Sequence, residues 1–190
     1  MINGREGIIG PLRTPSGEHI FPLVPNEDFR EKSKQEKIHG GPQGYTKITE
    51  NSRNFIGGAI KREDRMPWGL ATKDVLLGTF MREAKKEYGL DIHPDQISDE
   101  SGYLAQIDQI RNSEEIFFYV WFLGSVVLYP SQISQLERSL IEQRKNQPTE
   151  SIQVVSPGEL ARYLEENQKI IRPVARAAAL QVNMQKWKNA

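Results

Sequence analysis

The sequence predicts an α+β architecture, a mixed β-sheet accompanied by helices. Two pairs of apolar runs separated by turn residues, one helix with clear caps, and strand–helix alternation to the C-terminus carry that prediction. The first pair, GIIGPL and HIFPLV, lies within residues 6–24 and is divided by Thr14-Pro15-Ser16-Gly17, the chemistry of a hairpin turn. Glu27–Lys37 is a charge run that reads as a solvated helix or loop, and Gly40–Gly44 reads as a glycine-rich loop without P-loop spacing. Tyr45–Ile60 alternates loosely and ends in Phe55-Ile56-Gly57-Gly58.

Thr72–Tyr88 is the clearest helix. Thr72 is a suitable N-cap, Asp74 lies in the first turn, and Gly89 supplies the stop. Its apolar stripe is read as Leu77, Met81, Ala84 and Tyr88, a core face. Gly102–Ile110 and Ile116–Leu128 form a second hairpin through Arg111–Glu115, and the run from Ile116 to Tyr129 reads as buried strand. An amphipathic helix at Ser131–Lys145 (Ile133, Leu136, Leu140, Ile141), a strand at Ser151–Val155, a helix from Pro157 to Glu166 and a basic final helix near 173–187 complete the chain.

Composition narrows the function classes. The 190 residues include 25 basic and 25 acidic side chains, so no global field attracts nucleic acid or an anionic membrane. The chain has no cysteine, which removes disulfides, thiolate zinc sites and a cysteine nucleophile. His19, His39 and His93 lack zinc-ligand spacing. The opening residues carry no signal-peptide pattern and no apolar run is long enough for a bilayer helix, so a cytoplasmic location is expected. A homodimer is a possible assembly of the chain.

The remaining chemistry lies in Gly57-Gly58 and in the helical segment from Met81 to Leu90. Glu83 and Glu87 stand at i and i+4, placing two carboxylates on one helix face. Hard oxygen ligands of this kind select Mg²⁺ or Mn²⁺, Arg82 can brace a carboxylate through its planar fork, and glycines admit close approach of backbone to metal or phosphate. The alternative is an exposed face of weak Arg–Lys–Glu ion pairs.

The spacing resembles the Nudix box of the Nudix hydrolase family, G-x5-E-x7-R-E-U-x-E-E-x-G-U, with U apolar. Arg82, Glu83, Ala84, Glu87, Gly89 and Leu90 fall on the R-E-U, second E, G and final U, and Asp74 occupies the place of the first glutamate. Two departures stand out. Gly58 precedes Arg82 by 24 positions where the pattern has 14, which implies an inserted loop near 59–72. Lys86 occupies the first position of the E-E pair, exchanging a carboxylate for an ammonium.

The resemblance implies one Nudix-like domain over residues 1–190, an α/β/α sandwich with the box helix packed on a mixed sheet. It implies a Mg²⁺- or Mn²⁺-dependent hydrolase that cleaves the diphosphate bond of a small-molecule substrate, a nucleoside diphosphate linked to another moiety. Glu83 and Glu87 would be metal ligands, the Gly57 carbonyl a third, and Arg82 would orient the glutamates. Glu150 is the first candidate for general base, with Glu114 and Glu115 next, while Glu63 or Asp64 could replace the ligand lost at Lys86. Trp68, Tyr45 or Phe21 could stack on a base. Two other readings stand beside this one: a Nudix-fold phosphate- or nucleotide-binding module with lost catalysis, and an unrelated α+β interaction protein.

Overall fold

Pro11 divides the first apolar segment between two sheets, so the hairpin expected across 6–24 forms only from its second part. The computed structural model describes residues 5–26, 34–39, 45–61, 71–98, 103–111, 114–144 and 150–188. Strand β1 (Arg5–Gly10) enters a six-stranded sheet, while β2 (Leu12–Arg13) pairs antiparallel with β3 (His19–Pro25) in a second sheet. Proline lacks the N–H that would continue the ladder, and the chain changes partners there. The turn forms where Pro-Ser-Gly predicts it: Gly17 donates to the Thr14 carbonyl at 2.9 Å and adopts φ 91°.

The following strands are β4 (Gln35–Ile38), β5 (Thr46–Lys47), β6 (Asn51–Arg53), β7 (Ile56–Ala59), β8 (Tyr103–Arg111), β9 (Glu114–Phe122), β10 (Val126–Val127) and β11 (Ile152–Val155). The six-stranded sheet runs β5-β4-β8-β9-β1-β7, and the second runs β10-β2-β3-β11 with β6 attached to β3. β1 pairs antiparallel with β7 and parallel with β9, so the sheet is mixed.

Several expectations are corrected here. The charge run is strand, not solvated helix or loop, over Gln35–Ile38, where Glu36 is only 2% exposed because Gln109 and Arg172 answer its carboxylate. The second hairpin forms with a tighter connection, since Arg111, Glu114 and Glu115 belong to its strands. The Ile116–Tyr129 run is two strands, with Gly124 and Ser125 between them, and Phe117 is 46% exposed. The glycine cluster at 40–44, residues 62–70 of the insertion expected near 59–72 with Glu63, Asp64 and Trp68, and residues 27–33 lie outside the described residues.

Helix α1 (Lys73–Tyr88) has the caps its sequence predicts. Thr72 accepts from the Val75 N–H, and Gly89 at φ 69° returns its N–H to the Lys85 carbonyl while buried Leu90 bonds back to Ala84. Its buried stripe is rotated from the expected one: Leu76 and Phe80 are buried, with Ala84 and Tyr88, while Leu77 and Met81 are half-buried. Phe80 takes the inner position because its ring fits the space left by the missing side chain of Gly10. Helix α2 (Pro130–Gln143) buries Leu136 and Leu140 but leaves Ile141 exposed, against expectation. Helix α3 (Leu160–Glu166) starts after a turn at 157–159 rather than at Pro157, and α4 (Pro173–Lys188) closes the chain as expected.

Strand register shows that helices cover both faces of the six-stranded sheet. Gly58 pairs with Ile8, and α1 packs on that face through Glu83 and Phe80. Glu36 pairs with Gln109, which shares a face with Phe118, Val120 and, across β9, Gly7. Arg172, at the entry to α4, meets Glu36 on this opposite face. No described helix is long and apolar enough to cross a membrane.

Candidate active site

A cavity of about 800 Å³ opens beside β1 and β7 and is lined by Gly57, Gly58, Glu87, Gln143, Lys34 and Glu36 among others. Its size falls within the range of small-molecule sites, roughly 300–1,000 Å³. Apolar walls come from Ile8, Ile107, Phe118 and Val120.

Of the box residues, Gly57, Gly58 and Glu87 line the cavity, while Arg82, Glu83 and Lys86 stand outside its lining. A Cβ built on Gly58 would lie 2.3 Å from Cγ of Glu83 and 3.1 Å from its Cδ, so the glutamate lies in the notch that the glycine leaves. Glu83 is 12% exposed at its side chain, and both carboxylate oxygens face cations. Arg82 Nε is 3.2 Å from Oε1, and Lys86 Nζ is 3.5 Å from Oε2. One turn on, Glu87 is exposed on the cavity wall. Asp74 stands exposed in the first turn of α1, outside the cavity lining.

The fold thus seats Glu83 against Gly58 with Arg82 and Lys86 on its carboxylate, and sets Glu87 in the cavity lining with Gly57 and Gly58. Among the described residues, no group of three or more His, Asp or Glu side chains is arranged to hold a metal. The donor set still fits Mg²⁺. That ion is bound through one or two carboxylates, with waters and substrate phosphates completing its shell, rather than by a full protein cage. Glu83, Glu87 and the Gly57 carbonyl are the groups that would hold it.

Other expected site residues are placed elsewhere. Glu150 precedes β11, is 64% exposed at its side chain, and approaches Arg53 Nη2 at 3.9 Å; it does not line the cavity. Burial lowers the pKa of that arginine, while Tyr163 and Glu150 act in the opposite direction. Glu114 and Glu115 sit at the end of the second hairpin, where Glu115 accepts from the Tyr45 hydroxyl at 2.8 Å. Tyr45 is on the surface, and Phe21 is fully buried against Phe55 and Tyr163, a core ring rather than a stacking platform.

Two buried carboxylates of the cavity lining escape sequence reasoning. Glu6 accepts from Trp121 Nε1 at 2.6 Å and from the Ala71 N–H at 3.2 Å, tying β1 to β9 and to the entry of α1. Glu36 accepts from Gln109 at 3.0 Å and pairs with Arg172. Glu6 had a faint signal, a charge at the head of an apolar strand run. Glu36 had none, since its neighbours in sequence are all charged or polar.

With this geometry in view, the chain can be set beside known proteins. No protein-family model matches it, and no curated protein matches it. Among solved structures, it is similar to a MutT protein from Methanosarcina mazei Go1. That likeness has 13% identity, covers 98% of this chain and 99% of the other, and has a TM-score of 0.46. The Ap4A hydrolase of C. elegans follows at 10% identity, 100% and 98% coverage and a TM-score of 0.36. A mutant of a Bacillus subtilis pyrophosphohydrolase has 14% identity, 98% and 83% coverage and a TM-score of 0.35.

Proposed function

We propose that the chain is a single-domain, Nudix-type pyrophosphohydrolase that uses Mg²⁺ or Mn²⁺ to cleave a diphosphate bond in a nucleoside diphosphate linked to another moiety. The observation that carries this reading is the seating of Glu83 in the Gly58 notch, with Glu87 one turn away on the wall of a substrate-sized cavity. A bound divalent ion would neutralise phosphate oxygens and make a water nucleophilic near neutral pH. The chain's own residues do the rest. Arg82 holds one oxygen of Glu83, fixing the plane of its carboxylate. The glycine backbone gives phosphate close access. Glu150 is the proton acceptor that the resemblance implies, although it stands at the head of β11 against Arg53 and outside the cavity lining.

The test is release of phosphate or nucleoside monophosphate from a panel of nucleoside diphosphate derivatives, with Mg²⁺, with Mn²⁺ and with EDTA. Release that needs the metal and drops at least about 100-fold in Glu87→Gln is expected. Activity that survives EDTA or that substitution would refute the metal-dependent hydrolase. A Glu150→Gln variant with unchanged kcat would remove Glu150 from the mechanism and leave the rest standing.

Lys86 supports a second reading, a phosphate-binding module without turnover. Its ammonium lies where a cation is needed and already faces Glu83. The two readings part at Lys86→Glu. In the hydrolase the exchange adds a carboxylate and removes a competing cation, so Mg²⁺ affinity is expected to rise about tenfold, because affinity at such sites follows ligand charge count. In the binding module, phosphate affinity falls and no turnover emerges. Isothermal titration with Mg²⁺ and with inorganic phosphate distinguishes them.

A further inference from the structure

The last turn of α1 is held from outside the motif. A helix end leaves its final carbonyls without backbone donors, and α2 answers them with side chains. Gln143 Nε2 donates to the Glu87 carbonyl at 2.7 Å and Ser139 Oγ donates to the same oxygen at 3.3 Å. Gln135 Nε2 donates to the Gly89 carbonyl at 2.8 Å, and Gln132 Nε2 to the Asp91 carbonyl at 2.7 Å. These four residues recur along one side of α2, as the helical repeat requires of a face aligned with a neighbouring chain segment. Only Gln143 combines two properties among them: it bonds the backbone of a box glutamate and also lines the cavity beside it.

We propose that Gln143 is a positioning residue for Glu87, a role that rests on the hydrolase reading above. Its amide fixes the Glu87 carbonyl, and the Glu87 Cα moves with that carbonyl. The carboxylate direction therefore depends on α2. A side chain that moves about 1 Å from its productive place can cost about 100-fold in rate, and residues that orient metal ligands are commonly worth 10–100-fold in affinity or activity. Gln135 performs the same capping chemistry two residues later, on a glycine that carries no ligand, and so serves as an internal control.

The experiment compares Gln143→Leu, Ser139→Ala and Gln135→Leu in the full-length chain. Mn²⁺ uptake is followed by electron paramagnetic resonance without substrate, beside kcat, KM and Tm. Gln143→Leu is expected to weaken Mn²⁺ binding about tenfold and to lower kcat with little change in KM. Ser139→Ala acts on the same carbonyl and should show a smaller loss in the same direction. Gln135→Leu should lower Tm as much as Gln143→Leu does and leave Mn²⁺ binding at the wild-type level. Equal Mn²⁺ affinity in Gln143→Leu and wild type, or an equal loss in Gln135→Leu, overturns the proposal while the hydrolase reading stands. A wild-type protein that takes up no Mn²⁺ overturns both together.

Discussion

Gly58→Ala is expected to reduce kcat/KM by at least about 100-fold while the protein keeps its far-ultraviolet circular dichroism. The added Cβ would sit 2.3 Å from Glu83 Cγ and 3.2 Å from its Cβ, atoms close to the helix axis that cannot swing away as a side-chain tip does. Either Glu83 leaves its notch or α1 lifts from β7. Both outcomes separate the two box carboxylates from the glycine backbone. Mn²⁺ affinity is expected to fall in parallel, and kcat/KM within threefold of wild type would show that the notch does not place the glutamate. The fold itself should persist, because β7 is an edge strand and its pairing with β1 is made by backbone groups, not by the side-chain position that the substitution fills.

Phe80→Ala is expected to destabilise the protein by about 3–5 kcal/mol, a large share of the roughly 5–15 kcal/mol typical of a domain. Phe80 is fully buried. Its ring lies within 2.9 Å of where a Cβ on Gly10 would stand, so it occupies the seam where β1 gives way to Pro11 and β2. The cavity left behind would be bounded by strand backbone and by α1, neither of which can collapse into it. Urea unfolding should show a lower midpoint with an unchanged slope, and Tm should fall by on the order of 10 °C. A midpoint within 0.3 M of wild type, on the order of the uncertainty of such curves, would mean that the seam repacks.

The parts of this architecture legible in the sequence are those whose cause is local. Thr72 and Gly89 bound α1 because capping is decided within four residues, and the Gly17 turn and the second hairpin follow from turn chemistry of equally short range. The α1 stripe was displaced by one residue because periodicity alone cannot tell Phe80 from Met81; Gly10, seventy residues earlier in the chain, decides between them. The charge run failed for the same reason. Glu36 is buried because Gln109 and Arg172 reach it, and neither is near it in sequence. The box glutamates and their glycines were readable as a spacing, whereas Gln143 beside them was not. A glutamine on an exposed helix face carries no periodic or charge signal, and only the packing of α2 on α1 gives it a target.

Strand β1 sits at the centre of a pairing that joins distant parts of the chain: Arg5 aligns with Phe118 and Ile9 with Phe122. This has a consequence for the order of events on the ribosome. The box helix is translated early, but the strand it packs on has only one of its two neighbours until β9 has emerged, and Gln143 follows later still. Contacts of such sequence separation form late and slowly. A nascent chain therefore carries both box glutamates for some time without the scaffold that aims them.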